Sequence, residues 1–233
     1  MEVAAVVPAA GAARRMGAAG DKLYLPLAGR PVLAHTLRAL QAAADLGIGR
    51  IVAAVAPGAL ARFEAEIRPH LLPSPPVLAV AGGATRQESV CRGLQAAAGA
   101  RWVLVHDGAR PLLSRELLAR CIDSARAGRC AVAGLPLKDT VKEVDDGGRV
   151  VATPDRRRLW AVQTPQVFPL EVLVQAHRQA ARDGFDGTDD AVLVERLGME
   201  VYVVPGDEAN LKITTPHDLR VAEMLLGAGG ASW

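Results

Sequence analysis

Short apolar runs alternate with longer stretches of helical period along most of this chain. Val3–Val7, Ile51–Ala56, Val77–Ala81, Trp102–Val105, Cys130–Leu135 and Val201–Val204 have the length and composition of strands buried on both faces. Between them, helical patterns run from Pro31 to about Ala44, from Ala59 to Ile67, from Thr85, and from Ser114 to about Ala127. Later ones span Leu170–Arg182 and Ala191–Leu197, and the last opens at Thr215-Pro216 with proline at the first helical position. Thr85 and Glu88 form a Thr-x-x-Glu capping box, Ser114 is a cap, and Thr188 and Asp189 stand near the Ala191 start. Strands separated by helices predict βαβ units with right-handed crossovers. The expected fold is α/β: a doubly wound, mainly parallel sheet covered on both faces.

The rhythm breaks at Leu137. Lys-Asp-Thr-Val-Lys-Glu-Val, then Asp145-Asp146-Gly147-Gly148, then Arg-Val-Val-Ala-Thr, read as two strands around a tight turn. The hairpin is too polar for a core, and an isolated hairpin is marginal in water. It fits equally a solvated hairpin on its own subunit or one packed on another. With no repeat, low-complexity tract or linker, residues 1–233 are read as a single domain, with 137–157 as a protruding β-hairpin arm.

Composition narrows the function classes. Aromatic residues make up only 3% of the chain, which disfavours a stacking surface for single-stranded nucleic acid, and a net charge of +2 gives no pull toward a polyanion. Phosphate chemistry therefore requires a local cluster of cations. Cys91, Cys121 and Cys130 form no CxxC pair and no zinc spacing, and are read as small apolar residues in a reducing cytoplasm. Val3–Val7 is too short for a membrane span and lacks the basic flank of a signal peptide. The expectation is a cytoplasmic protein with neither nucleic acid nor membrane as partner.

In a parallel sheet, ligands bind at the carboxyl ends of the strands. The first strand ends in Pro8-Ala9-Ala10-Gly11-Ala12-Ala13-Arg14-Arg15-Met16-Gly17, where small residues permit close backbone approach and two arginines add permanent charge. A solvated turn with two surface arginines is the competing reading; the position favours the first. Ala13 breaks the GxGxxG pattern, and GxxxxGK[ST] is absent, so neither the dinucleotide fingerprint nor the P-loop applies. Asp107 directly follows an apolar strand, which puts its carboxylate at the same edge, and His106 lacks partners for base chemistry and is read as structural.

These stretches form an ordered set. Pro-Ala-Ala-Gly-x-x-x-Arg-Met with Asp21-Lys22, Gly82-Gly83-x-x-Arg86-x-x-Ser89, Val103 to Pro111 and Asp139-Thr140 come first. Trp160 with Gln163-Thr164-Pro165-Gln166, Thr188-Asp189 and Asn210 to Thr214 follow. In this order they resemble the 2-C-methyl-D-erythritol 4-phosphate cytidylyltransferases of the non-mevalonate isoprenoid route, over nearly the whole chain.

The resemblance implies transfer of CMP from CTP to 2-C-methyl-D-erythritol 4-phosphate, with release of pyrophosphate. It implies catalytic roles for Arg15, Lys22 and Lys212, and a divalent cation, Mg²⁺ or another, at Asp107. For the cytosine it implies backbone groups of Ala9, Ala10 and Gly83 with the Ser89 hydroxyl, and Gly11 joins them in binding the nucleotide. For the alditol phosphate it implies Arg110, Thr140, Arg156 and Thr164. In the family the arm embraces a second subunit, so Thr140 and Arg156 would serve the neighbour's site in a homodimer. Lys22 and Lys212 are two of only four lysines among 27 basic residues, as a need for a compact point charge would produce. Two positions depart from the family pattern: Ala84 where an Asp is frequent near the base, and Leu23 where a Gln is common. A cytidylyltransferase for ribitol or glycerol phosphate, and a non-catalytic nucleotide-binding regulatory protein, are the alternatives.

Overall fold

The computed structural model describes residues 2–11 and 21–228. Its main sheet is built from β1 (Val3–Ala9), β4 (Ile48–Val55), β5 (Val77–Ala81), β6 (Trp102–Val105), β7 (Cys130–Pro136), β10 (Trp160–Pro169) and β11 (Val201–Pro205). The strand order is β11-β7-β10-β6-β1-β4-β5. Every pairing is parallel except the two made by β10. Two minor two-stranded sheets complete the fold: β2 (Pro26–Leu27) with β3 (Arg30–Pro31), and β8 (Glu143–Val144) with β9 (Val150–Ala152).

The period-2 pattern explains the three-layer form. In β1, Val3, Ala5, Val7 and Ala9 belong to one core and Ala4 and Val6 to the other. The same alternation separates Trp102 and Leu104 of β6 from Val103 and Val105. One face is covered by α1 (Val32–Ala42), α2 (Leu60–Glu66), α4 (Arg115–Arg126) and α7 (Pro216–Ala228). The other lies under α3 (Arg86–Ala96), α5 (Leu170–Asp183) and α6 (Asp190–Glu195). The predicted doubly wound sheet is therefore the observed one. Among the described residues no helix is long and apolar enough to cross a membrane.

Local signals set the helix starts. The Thr85 hydroxyl accepts from Glu88 N–H at 3.1 Å, while the Glu88 carboxylate reaches back to Ala84 N–H at 2.8 Å. Ser114 and Asp189 cap α4 and α6 in the same way, accepting from the N–H groups of Leu117 and Val192. The strand that the apolar pattern missed is β10. Gln163, Thr164, Pro165 and Gln166 interrupt its apolar run, and its pairing with β7 breaks register between Val162 and Gln166. A strand whose middle points polar groups into a site has no strand-like period to read. The expected hairpin is present as β8 and β9, its turn held by Asp145 Oδ1, which accepts from the N–H groups of Gly147 and Arg149.

Helix α3 lies unusually close to β1. A Cβ placed on Gly93 would sit 2.4 Å from Val6 Cγ1, so only glycine allows this approach. Gly93→Val is expected to cost about 1–3 kcal/mol by overpacking. Urea unfolding of the variant should show a lower midpoint with an unchanged slope.

Candidate functional site

The carboxyl ends of β1, β4, β5 and β6 open on one edge, and the predicted residues gather there. From β1 come Ala9, buried in the core, then half-buried Ala10 and exposed Gly11. The turn after β5 is pressed against them: Gly82 N–H donates to the Val55 carbonyl at 2.6 Å, and a Cβ on Gly82 would fall 2.8 Å from Ala10 Cβ. Ser89, 1% exposed, accepts from Gly83 N–H at 3.1 Å and donates to the Thr85 carbonyl at 2.8 Å. The Gly83 N–H is thereby committed, and the group this residue can offer a base is its carbonyl. Exposed Ala84 has its N–H tied to Glu88, and Leu23 is packed in the core, so neither departure puts a polar side chain on this edge.

Asp107 is the centre of charge. It is 7% exposed, and its Oδ1 accepts from Arg86 Nε at 3.2 Å. Its Oδ2 lies 2.8 Å from Lys212 Nζ and 3.8 Å from Arg110 Nε. Burial raises the carboxyl pKa, but Arg86, Lys212 and Arg110 outweigh it and hold the group well below the usual carboxylate range. Lys22 joins the cluster through Nζ, which donates to the Ile213 carbonyl at 2.9 Å, one residue beyond Lys212.

Three loops are locked around this carboxylate. The Thr164 hydroxyl accepts from Asp107 N–H at 3.0 Å and lies 3.1 Å from His106 Nδ1. His106 Nε2 faces the Arg110 carbonyl at 3.2 Å, which requires the proton on Nε2 and leaves Nδ1 to accept from Thr164. Burial pushes the His106 pKa down to about 4, so the ring is neutral near pH 7. Asn210, fully buried, donates to the Thr164 carbonyl at 2.7 Å and to Gln163 Oε1 at 3.3 Å, and its own backbone carbonyl accepts from Arg110 Nη1 at 2.6 Å. Sequence reasoning gave Asn210 no role; that it is the chain's single asparagine was the available signal.

The structure brings together Ala9, Ala10, Gly11, Gly83, Ser89, Lys22, Asp107, Arg110, Thr164 and Lys212. Arg15 lies outside the described residues. Thr140 and Arg156 stand apart on the exposed arm, where Arg156 Nη1 donates to the Lys138 carbonyl at 2.6 Å. Among the described residues, no hydrogen bond or ion pair joins either to Asp107, Arg110 or Lys212. Arg86, which sequence reasoning quoted only as part of a motif, is a direct partner of Asp107.

A parallel-sheet edge lined by glycine turns, backbone groups and clustered cations is the binding edge of a nucleotide-handling α/β protein. The family model described as IspD, 2-C-methyl-D-erythritol 4-phosphate cytidylyltransferase, matches residues 3–228, and the chain belongs to that family. A protein of that name from Nostoc sp. is 45% identical over 224 residues, covering 96% of this chain and 97% of the relative. Another from Caldanaerobacter subterraneus is 43% identical over 227 residues, covering 97% and 99%. The crystal structure of the cytidylyltransferase from Thermus thermophilus superposes with a TM-score of 0.78 at 38% identity, covering 97% of this chain and 98% of that one. That of 4-diphosphocytidyl-2C-methyl-D-erythritol synthase from Anaerococcus prevotii reaches 0.83 at 30% identity, with the same coverage.

Thr164→Val keeps the shape but leaves Asp107 N–H and His106 Nδ1 without their partner. It is expected to destabilise the fold by about 2–3 kcal/mol, since two buried polar groups lose hydrogen bonds. Thr164→Ser should stay near wild type. Chemical denaturation of the pair checks this.

Proposed function

We propose that this chain transfers the cytidylyl group of CTP to 2-C-methyl-D-erythritol 4-phosphate, giving 4-diphosphocytidyl-2-C-methyl-D-erythritol and pyrophosphate. A phosphate oxygen of the alditol phosphate attacks the α-phosphorus of CTP, and the bond to the β-phosphate oxygen breaks. The attacking oxygen is already anionic, so no general base is needed. The obstacle is repulsion between anions and charge growing at the α-phosphate, which placed cations relieve. The observation that carries the reading is the juxtaposition of Arg86, Arg110 and Lys212 around one ionised carboxylate at the strand ends, with Lys22 tied to the residue after Lys212.

Each residue then has a task. Lys22 and Lys212 face the triphosphate, and the family resemblance adds a catalytic role for Arg15. Asp107 keeps the Lys212 ammonium from collapsing elsewhere. The Gly83 carbonyl accepts from the N4 amino group of cytosine, which the O4 acceptor of uracil cannot supply. Ala9, Ala10 and Gly11 offer backbone groups, and Ser89 holds the Gly83 turn in register. Arg110 and Thr164 line the alditol side.

Among the described residues no group of three His, Cys, Asp or Glu side chains could hold a metal. Asp107 nevertheless fits Mg²⁺, because this ion is held by one or two carboxylates completed by substrate phosphates, and Asp107 is an ionised oxygen donor. When bound, the metal would add positive charge across the triphosphate.

A homodimer gives the arm its purpose. Val144, Val150 and Val151 on the arm, and Trp160 and Val162 just after it in the chain, are large apolar side chains left exposed. A second subunit would cover them and receive Thr140 and Arg156 at its own site. The chain acts as one domain with the 137–157 arm, in the cytoplasm, and needs neither nucleic acid nor a membrane.

Lys22→Ala and Lys212→Ala are each expected to lower kcat by about 10²–10³-fold with the fold intact, the usual loss for one transition-state donor. Pyrophosphate release over a panel of alditol phosphates tests the substrate: turnover should be greatest with 2-C-methyl-D-erythritol 4-phosphate and CTP, and preference for ribitol or glycerol phosphate would overturn it. Mixed Lys22→Ala and Arg156→Ala subunits should recover activity when they exchange, because one site in each mixed dimer is whole. Exchange without recovery refutes service in trans.

A further inference from the structure

The carboxylate at the centre of the site does not hold its place alone. Arg86 contacts Asp107 with Nε at 3.2 Å and Asp190 with Nη1 at 2.8 Å. Asp190, 1% exposed, sits in the first turn of α6, and its Oδ1 lies 3.0 Å from Nε2 of His177, itself 3% exposed on α5. A carboxylate only accepts, so Nε2 carries the proton in that bond. Gln166 adds a fourth fixed point, its Oε1 accepting from Asp190 N–H at 3.2 Å. A continuous line thus runs from the apolar underside of the sheet to the cations: His177, Asp190, Arg86, Asp107, Lys212.

Stability does not explain such a line. A buried ion pair typically contributes little over an apolar replacement of equal volume, because desolvating the charges offsets their attraction. His177 lies on the α5 face otherwise filled by Leu173, Ala176 and Ala180, where a hydrocarbon would pack at lower cost. What the line does provide is orientation. Arg86 could swing toward solvent, its side chain being 28% exposed, but Asp190 pins its far end. With Arg86 fixed, Oδ1 of Asp107 is held, and Oδ2 can only point toward Lys212 and Arg110.

We propose that Asp190 and His177 are positioning residues for the transfer reaction: through Arg86 they aim the Asp107 carboxylate, which sets where the Lys212 ammonium stands. The proposal rests on the cytidylyltransferase reading above. Asp190→Asn keeps the shape and removes the charge; His177→Gln keeps an N–H near the Nε2 position, and His177→Phe removes it.

The test is steady-state kinetics of the full-length protein with CTP and 2-C-methyl-D-erythritol 4-phosphate, beside thermal unfolding of each variant. Asp190→Asn and His177→Phe should lower kcat by about 10–100-fold, as expected for an ångström-scale misplacement, with KM for CTP little changed. His177→Gln should stay close to wild type. In a Lys212→Ala background, Asp190→Asn should cause almost no further loss, because both act through the same ammonium. A wild-type kcat in Asp190→Asn, an undiminished effect without Lys212, or equal damage from His177→Gln and His177→Phe would overturn the proposal. If Asp190→Asn fails to fold, the His177 pair decides by the same criteria, alone and in the Lys212→Ala background. An inactive wild-type protein would instead sink the functional reading itself.

Discussion

One buried carboxylate organises the functional half of this molecule. Asp107 sits where a charge can survive only if it is paired, and three cations from three separate parts of the chain pair it. Arg86 comes from the start of α3, Arg110 from the loop after β6 and Lys212 from the segment before α7. Each is drawn to the strand ends by the same anion, so the charge that costs most to bury also gathers the cations to which the proposed function assigns the phosphates.

Around that centre the backbone is fixed by neutral hydrogen bonds. Thr164, His106 and Asn210 tie the β6 loop, the polar interruption of β10 and the 207–214 segment into one body. Such a network is costly if half satisfied and stiff if complete. Preorganisation of this kind is what the proposed transfer without a general base demands, since its rate would depend on where cations stand before the substrates arrive. The fold and the chemistry therefore share one requirement, a rigid strand edge.

The arm obeys a different logic. Its strands are short, polar and exposed, and its ion pairs, such as Arg149 with Asp145, lie in water, where they contribute little. Among the described residues of its own subunit, none buries the valines it presents. Thr140 and Arg156, which the proposed function assigns to the alditol phosphate, stand on the exposed arm apart from the Asp107 cluster of the same chain. In the proposed homodimer their use depends on a neighbour, whereas the Asp107 cluster is built within one subunit.

The sequence by itself determined the layers, because the unbroken apolar runs of β1 and β6 require cover on both faces of the sheet. It determined the helix starts, through Thr85, Ser114 and Asp189, because caps act over three residues. It also located Lys22, Asp107 and Lys212, whose positions just past apolar runs or within an ordered set of motifs are local properties. Only the tertiary structure decided which groups meet. That Arg86 bridges Asp107 and Asp190, 83 residues apart in number, that His177 reaches Asp190 from another helix, and that β10 runs antiparallel through a polar stretch all arise from long-range packing. Such contacts have no period and no fixed spacing. They exist because a buried charge takes whichever partner the fold brings within reach, and the linear chain does not record that choice.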